Sequence, residues 1–276
     1  MPATPINIAV VIAEGGLLLA GVLLLWRHVF SRTARTATGP SALPAWNVTL
    51  SDFLLFAFLI VAGGLFAGFV SGLVLNRFTL PTDTKTILNS AAFQLGLLIG
   101  PALLPLNLPH HPLLPPLKRN SLSSGIVTFL VALPIVTLVN VGWQAVMDYF
   151  GIPAEQQDLL RMFNEATDPV LVTTMAILAV LIAPITEELL FRATLFRYLR
   201  TRTPRWIALL LPGTIFASLH VNWATLDGLA SLLPLITLAV IFSIAYERTG
   251  QIATAMIAHA LFNLHTIALL LSGVST

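Results

Sequence analysis

The stretch Thr186–Arg192, with the sequence T-E-E-L-L-F-R, places two carboxylates and one guanidinium on a single apolar helix. It follows Leu171–Ile185, which contains no charged residue, so these groups fall at membrane depth. A charged side chain at a helix centre costs about 2.5–3.5 kcal/mol on insertion scales and marks a functional site by default. Glu188 and Arg192 are four residues apart and can pair on one face. Glu187 lies about 100° around the helix and is left available for chemistry.

Two later apolar segments carry polar side chains that could meet Glu187. His220 falls near the end of one predicted span, and His259 and Asn263 lie four residues apart on one face of another. Counted from the inner loop, Glu187 lies about 20 Å and His220 about 24 Å into the membrane. Counted from Gln251, His259 lies about 12 Å and Asn263 about 18 Å in. Because the three helices climb from the same side, we expect these four side chains to meet in one layer.

A carboxylate, two imidazoles and a carboxamide at one depth suit hydrolysis. A carboxylate or a histidine can take a proton from water, and a histidine with an Asn amide can donate hydrogen bonds to a developing oxyanion. The same groups could instead hold zinc, with Glu187, His220 and His259 as ligands and one position left for water. Pro184 removes a backbone hydrogen bond beside Glu187, and such a break could admit water. The residues leave both mechanisms open.

The composition is that of an integral membrane protein. Of the 276 residues, 57% are hydrophobic and 9% are charged, against about 25% charged residues in soluble domains. The net charge of +2 is too small to argue for a nucleic-acid partner. The chain has no cysteine, which excludes disulfides, thiolate metal sites and cysteine nucleophiles. We therefore expect a multi-pass protein of the cell membrane whose surroundings are the lipid bilayer.

Eight stretches are apolar enough to be spans, each of which needs about 20 residues. Asn89 and Gln94 make the third span the least certain, and we assign them, with Asn140, to hydrogen bonds between helices. The sequence predicts an all-α polytopic fold with spans over residues 6–26, 52–75, 86–106, 125–147, 170–192, 206–222, 227–246 and 252–272.

Lysine and arginine in short loops set the orientation of such a protein. With the N-terminus outside, ten of the 14 cations fall in inner loops and three in outer loops, Arg192 being intramembrane. Both termini are then predicted to lie outside. The chain forms one membrane domain, with about four spans in residues 1–169 and about four, with the polar motifs, in residues 170–276.

Two further ionisable groups fall within predicted spans. Glu14 lies in the first span, where we expect it near the outer interface. His265 lies about 240° around the last helix from His259, so we leave it out of the predicted site.

Three motifs occur in order on successive predicted spans, and together they resemble the CAAX prenyl protease and bacteriocin-processing family of intramembrane proteases. The resemblance covers roughly residues 170–272, and the stretch Thr249-Gly250 is also similar to that family. The motifs are Glu187-Glu188-x-x-x-Arg192, Phe216-x-x-x-His220 and His259-x-x-x-Asn263.

The resemblance implies a fold of eight helices around an intramembrane catalytic cavity, and proteolysis near prenylated or otherwise membrane-bound C-termini. Some members of the family are labelled metalloproteases and a metal-independent glutamate mechanism is also argued for it, so zinc remains a possible cofactor. Carried onto matching positions, the resemblance assigns water activation to Glu187 and His220, oxyanion stabilisation to His259 and Asn263, and a supporting role to Glu188 and Arg192.

The sequence therefore predicts an intramembrane endopeptidase acting on a membrane-associated protein or peptide. Two alternatives stay open: a catalytically inactive scaffold or immunity-type binding protein, and a proton-coupled transporter that uses Glu and His as a relay. A transporter needs polar groups along a path through both leaflets, whereas here they cluster in the last four spans. The chain contains no H-E-x-x-H, G-x-S-G or G-x-G-D motif, so other classes of intramembrane protease fit worse.

Overall fold

The structure is a computed structural model in which the described residues form an all-α membrane protein. Seven helices are long and apolar enough to cross a bilayer, which confirms the polytopic all-α prediction. The protein is therefore an integral membrane protein. The predicted outer location of the termini concerns residues 1–4 and 274–276, which lie outside the described residues, and it stays a prediction. The structure describes residues 5–36, 41–43, 45–107, 120–152, 162–163, 166, 168–223 and 226–273.

In the described part of the chain, ten α-helices follow one another. Helix α1 continues into a π-helical segment at Trp26–Phe30, and α9 is preceded by a 3₁₀ turn at Asp227–Ser231. The helices are α1 (Pro5–Leu25), α2 (Arg32–Thr36), α3 (Leu50–Leu75), α4 (Thr82–Gly96), α5 (Ile99–Asn107), α6 (Ser121–Tyr149), α7 (Pro169–Arg200), α8 (Arg205–Ser218), α9 (Leu232–Thr249) and α10 (Ile252–Ser272).

Helix α8 corrects the prediction of eight spans. The predicted span over 206–222 is a helix of 14 residues, or about 21 Å, too short for a hydrocarbon core of about 30 Å. Its last turn has 3₁₀ hydrogen bonding, because the amides of Leu219 and His220 donate to carbonyls three residues earlier in the chain. Leu219 and Val221 continue the apolar composition past this end, so hydropathy does not detect it. His220 therefore lies on a turn and not on a helix.

Helix α10 lies at the centre of the fold, where it packs against α6, α7 and α9. Its contact face carries small, fully buried residues, including Ala255 and Ala258. Gly125 of α6 lies against Ile257, where an added Cβ would be 2.6 Å from the Ile257 side chain. Small residues let membrane helices approach closely, and this packing holds the histidines of α10 in the interior.

Helices α3 and α4 pack closely through facing glycines. A Cβ at Gly63 would lie 2.5 Å from the carbonyl oxygen of Gly96, and a Cβ at Gly96 would lie 2.4 Å from that of Gly63. Helix α4 in turn contacts α7. The close pairing of α3 and α4 therefore places α4 beside the helix that carries Glu187.

An extended segment, residues 41–43 and 45–49, fastens the N-terminal half to the C-terminal half; we call it the strap. The Ala42 amide donates to the Glu247 carbonyl at 3.1 Å, and the Arg202 guanidinium donates to the carbonyls of Trp46 and Val48. The Trp46 side chain is buried beneath the Arg197 guanidinium, 5.6 Å from the ring. The strap thereby connects α2 and α3 to the ends of α7 and α9.

Candidate active site

The structure brings Glu187 between His220 and His259, three residues that are far apart in the chain. Glu187 Oε1 lies 3.8 Å from His220 Nε2, and Glu187 Oε2 lies 3.8 Å from His259 Nε2. Both separations exceed a direct hydrogen bond of about 2.7–3.2 Å and are short enough for one water molecule to contact both groups. Helix α7, the turn after α8 and helix α10 therefore converge on one carboxylate.

Hydrogen bonds at Nδ1 orient both imidazoles toward Glu187. His220 Nδ1 lies 2.8 Å from the Phe216 carbonyl oxygen, and His259 Nδ1 lies 2.9 Å from Glu188 Oε1. A carbonyl and an ionised carboxylate only accept hydrogen bonds, so both Nδ1 atoms carry the proton and Nε2 is the free nitrogen. A proton in this cluster can therefore sit on Glu187 or on either Nε2.

Glu188 is the centre of a second, fully buried group. Its Oε1 atom lies 3.0 Å from Arg192 Nη1 as well as 2.9 Å from His259 Nδ1, and the side chains of Glu188 and Arg192 are 0% and 1% exposed. The Arg192 guanidinium lies 4.9 Å from the ring centroid of Phe216 and 5.6 Å from that of Phe242. The Arg192–Glu188 contact is an ion pair without hydrogen-bond alignment, so the aromatic faces share in holding the cation.

Exposure differs across the site. The side chain of His259 is 5% exposed, that of Glu187 13% and that of His220 33%. The Trp223 indole braces the turn that carries His220 by donating to the Ser218 carbonyl at 2.8 Å. The site is therefore closed on the side of α10 and open on the side of the His220 turn.

Asn263 contacts the backbone of α7. Its Nδ2 atom donates to the Ala179 carbonyl oxygen at 2.7 Å. That carbonyl lacks a helical partner because the Ala183 amide donates to Leu178 in a π-helical bond and Pro184 has no N–H to follow it. The backbone group freed beside Pro184 is thus satisfied by an amide from α10. One N–H of Asn263 remains, and no described contact joins this side chain to Glu187.

Two contacts of the site were not predicted as pairs. Glu188 was assigned to Arg192 alone, and its contact with His259 appears only in three dimensions. The Thr186 hydroxyl donates to Gln94 Oε1, which fits the predicted role of Gln94 in a hydrogen bond between helices. The prediction that His259 and Glu187 lie in one layer is the signal in the sequence that could have suggested the contact of His259 with Glu188.

Glu14 and His265, which the sequence left outside the site, contact each other. His265 Nε2 lies 2.6 Å from Glu14 Oε2, and the side chains are 15% and 21% exposed. The His265 ring also lies edge-on to Phe129, with 5.8 Å between centroids. This pair joins α1 to α10, and α6 lies beside it.

The donor types at Glu187, His220 and His259 suit zinc. Among the described residues, however, no group of three or more His, Cys, Asp or Glu side chains is arranged to hold a metal ion.

Comparison with known proteins finds a match for the part of the chain that carries these residues. A family model described as type II CAAX prenyl endopeptidase Rce1-like matches residues 169–265. No curated protein and no solved structure matches the chain. The matched range contains α7, α8, α9 and the part of α10 with His259 and Asn263, whereas α1–α6 lie outside it. The chain therefore carries, over residues 169–265, a domain of the Rce1-like CAAX prenyl endopeptidase family.

Proposed function

We propose that the protein is an intramembrane endopeptidase of the cell membrane that hydrolyses a peptide bond in a membrane-associated, CAAX-type protein or peptide. The family of residues 169–265 points to a CAAX-type protease, and a protease implies protein substrates. The observation that supports the mechanism is the Glu187 carboxylate, 3.8 Å from the Nε2 atoms of both His220 and His259. A carboxylate base beside two imidazoles at membrane depth is suited to activating water.

In the proposed reaction Glu187 and His220 activate water. The carboxylate removes a proton as the water oxygen attacks the scissile carbonyl carbon. His220, whose Nε2 is free because Nδ1 donates to Phe216, can receive that proton and return it to the leaving amine. The exposed side of the site, at the His220 turn, is where water and the scissile bond would enter.

The proposed oxyanion hole consists of His259 and the remaining N–H of Asn263. His259 can donate from Nε2 only as an imidazolium, because Nδ1 already donates to Glu188. The buried Glu188 carboxylate stabilises that cation, and Arg192 pairs with the same carboxylate oxygen. Donors placed at developing negative charge are among the largest contributions to catalysis. Glu188 and Arg192 therefore act by positioning His259.

The test is cleavage of a synthetic peptide ending in a farnesylated CAAX sequence by the protein in liposomes. The wild type should release the C-terminal tripeptide. Glu187→Gln removes the base while leaving no cation stranded, so turnover should fall by at least about 10²–10⁴-fold with the melting temperature unchanged. Glu14→Gln, which also alters a membrane carboxylate, is the matched control and should cleave normally.

Two outcomes would change the proposal. Normal cleavage by Glu187→Gln would make the hydrolase mechanism wrong and favour a scaffold or immunity-type binding protein. Loss of cleavage on treatment with a chelator, with recovery on adding Zn²⁺, would replace the side-chain mechanism by a zinc-dependent one at the same residues.

A further inference from the structure

A groove lies between α3 and α4, outside the family domain. It has a volume of about 520 Å³ and is lined by Phe69 and Gly68 on one side and by Ser90, Phe93 and Gln94 on the other. Ligand sites commonly have volumes of about 300–1,000 Å³. Helix α3 and the span Thr82–Leu103, which α4 forms together with the start of α5, are among those able to cross a membrane, so the groove opens where lipid surrounds the protein.

The groove is not purely apolar, because Gln94 lies in its wall. Gln94 Oε1 accepts from the Thr186 hydroxyl, which fixes the amide and leaves its Nε2 atom without an acceptor among the described residues. The Ser90 hydroxyl, one turn earlier on α4, also lines the groove. Hydrogen-bonding groups without partners at membrane depth are costly, so an occupant that supplies partners is favoured.

Gln94 also connects the groove to the candidate active site. Thr186, its hydrogen-bond partner, is 2% exposed and directly precedes Glu187 in α7. The wall of the groove is therefore hydrogen-bonded to the residue that directly precedes the proposed base in α7.

The chemistry of the wall distinguishes a peptide from a lipid chain. The backbone N–H and C=O groups of an extended peptide segment need hydrogen-bond partners within the membrane. A prenyl or acyl chain has no such groups and gains nothing from an amide or a hydroxyl. We propose that the groove between α3 and α4 binds the extended peptide segment of the substrate next to the scissile bond, with Gln94 Nε2 donating to a backbone carbonyl. This inference rests on the proposed proteolytic function.

Photocrosslinking tests the occupant directly. Phe69 and Phe66 lie on the same helix and are 65% and 66% exposed, but only Phe69 lines the groove. Each is replaced in turn by p-benzoylphenylalanine in the Glu187→Gln protein, with a biotinylated, farnesylated CAAX peptide as the probe. Position 69 should crosslink at least tenfold more than position 66, and the attachment should map to amino-acid residues of the peptide. The unfarnesylated peptide should give the same contrast.

Three results would overturn the inference: equal crosslinking from both positions, no crosslinking from either, or attachment that maps only to the farnesyl chain. The last would make the groove a lipid site. Because this contrast is measured without turnover, it decides about the groove separately from the proposed function, which fails if the wild-type protein cleaves no peptide.

Kinetics separate binding by Gln94 from a purely structural role. Gln94→Leu removes the donor and should raise KM about tenfold with kcat reduced much less. Thr186→Val removes the same interhelical hydrogen bond but keeps the Gln94 amide, so its KM should rise clearly less than that of Gln94→Leu. Equal changes in KM for the two variants would show that Gln94 acts only by holding α7 and would overturn the proposed contact.

Discussion

The Glu187–Glu188 region and the Glu14–His265 pair both place ionisable side chains within the membrane helices, and they differ in how their charges are held. In the central group, Glu188 contacts both Arg192 and His259 and is 0% exposed. In the peripheral group, Glu14 pairs with His265, and both side chains are partly exposed. A buried charge that is shared between two partners loses stabilisation when either partner is removed. A partly exposed charge can instead replace its partner by water or a lipid headgroup.

The contrast separates two tasks. The central group positions His259 toward Glu187, so the buried ion pair and the proposed chemistry use the same atoms. The peripheral pair joins α1 to α10, and α1 has a second attachment at Gly21, where an added Cβ would lie 2.2 Å from the Leu130 carbonyl oxygen of α6. We therefore expect substitutions in the central group to affect stability strongly and those in the peripheral pair to affect it weakly.

Arg192→Ala should give the largest loss of stability. It removes the arginine partner of the fully buried Glu188 carboxylate, and breaking a buried ion pair typically costs about 3–5 kcal/mol in the free energy of unfolding. Unfolding in detergent measures this loss. Arg248→Ala removes an exposed arginine and serves as the control, with almost no change. A fully stable but inactive Arg192→Ala protein would instead place Arg192 among the catalytic residues.

Asn263→Ala should reduce turnover by about 10²–10³-fold, the effect of losing one oxyanion donor. It also removes the hydrogen bond to the Ala179 carbonyl, so stability should fall by about 1 kcal/mol. Cleavage rates corrected for the folded fraction separate the two effects. Asn140→Ala, an amide substitution in α6, should leave turnover unchanged. If the corrected rate of Asn263→Ala equals that of the wild type, the role of Asn263 is structural.

Glu14→Gln should have the smallest effect. A partly exposed pair contributes about 0–1 kcal/mol, and α1 remains attached to α6 through Gly21. A double-mutant cycle with His265→Asn, followed by unfolding in detergent, measures the coupling between the two side chains. If the coupling free energy equals the stability loss caused by Arg192→Ala, the Glu14–His265 pair stabilises the protein as strongly as the central group does. The contrast between the two groups would then be wrong.

Sequence patterns predicted the spans because a spanning segment must be a long apolar helix to satisfy its own backbone in lipid. They failed for α8, since apolar side chains continue past Ser218 where the helical backbone stops. The strap was not predicted for a related reason. Trp46 and Val48 lie in a short segment between helices, and their burial depends on Arg197 and Arg202, which are more than 150 positions away.

The candidate site was predicted in part. Motif spacing on α7 and α10 and the count of residues from the inner loop indicated that Glu187 and His259 share a depth, and the structure places them 3.8 Å apart. Helical periodicity describes neighbours within one helix, so it paired Glu188 with Arg192 and did not detect His259 as a second partner. The contact between Gln94 and Thr186 and the contact between Glu14 and His265 were not predicted, for the same reason.

The contacts made by α10 have a consequence for biosynthesis. Its His265, Asn263 and His259 partner groups that are made 251, 84 and 71 residues earlier. At about 5–20 residues per second, roughly 12–50 s pass between the synthesis of Glu14 and that of His265. The Glu188 carboxylate, made 71 residues before His259, has only its arginine for about 4–14 s, and the Ala179 carbonyl, made 84 residues before Asn263, remains open for about 4–17 s. The nascent chain therefore holds several polar groups in the bilayer without partners until α10 inserts. A chain whose synthesis stalls before Ile252 would keep these polar groups exposed within the membrane, where membrane quality control can recognise them.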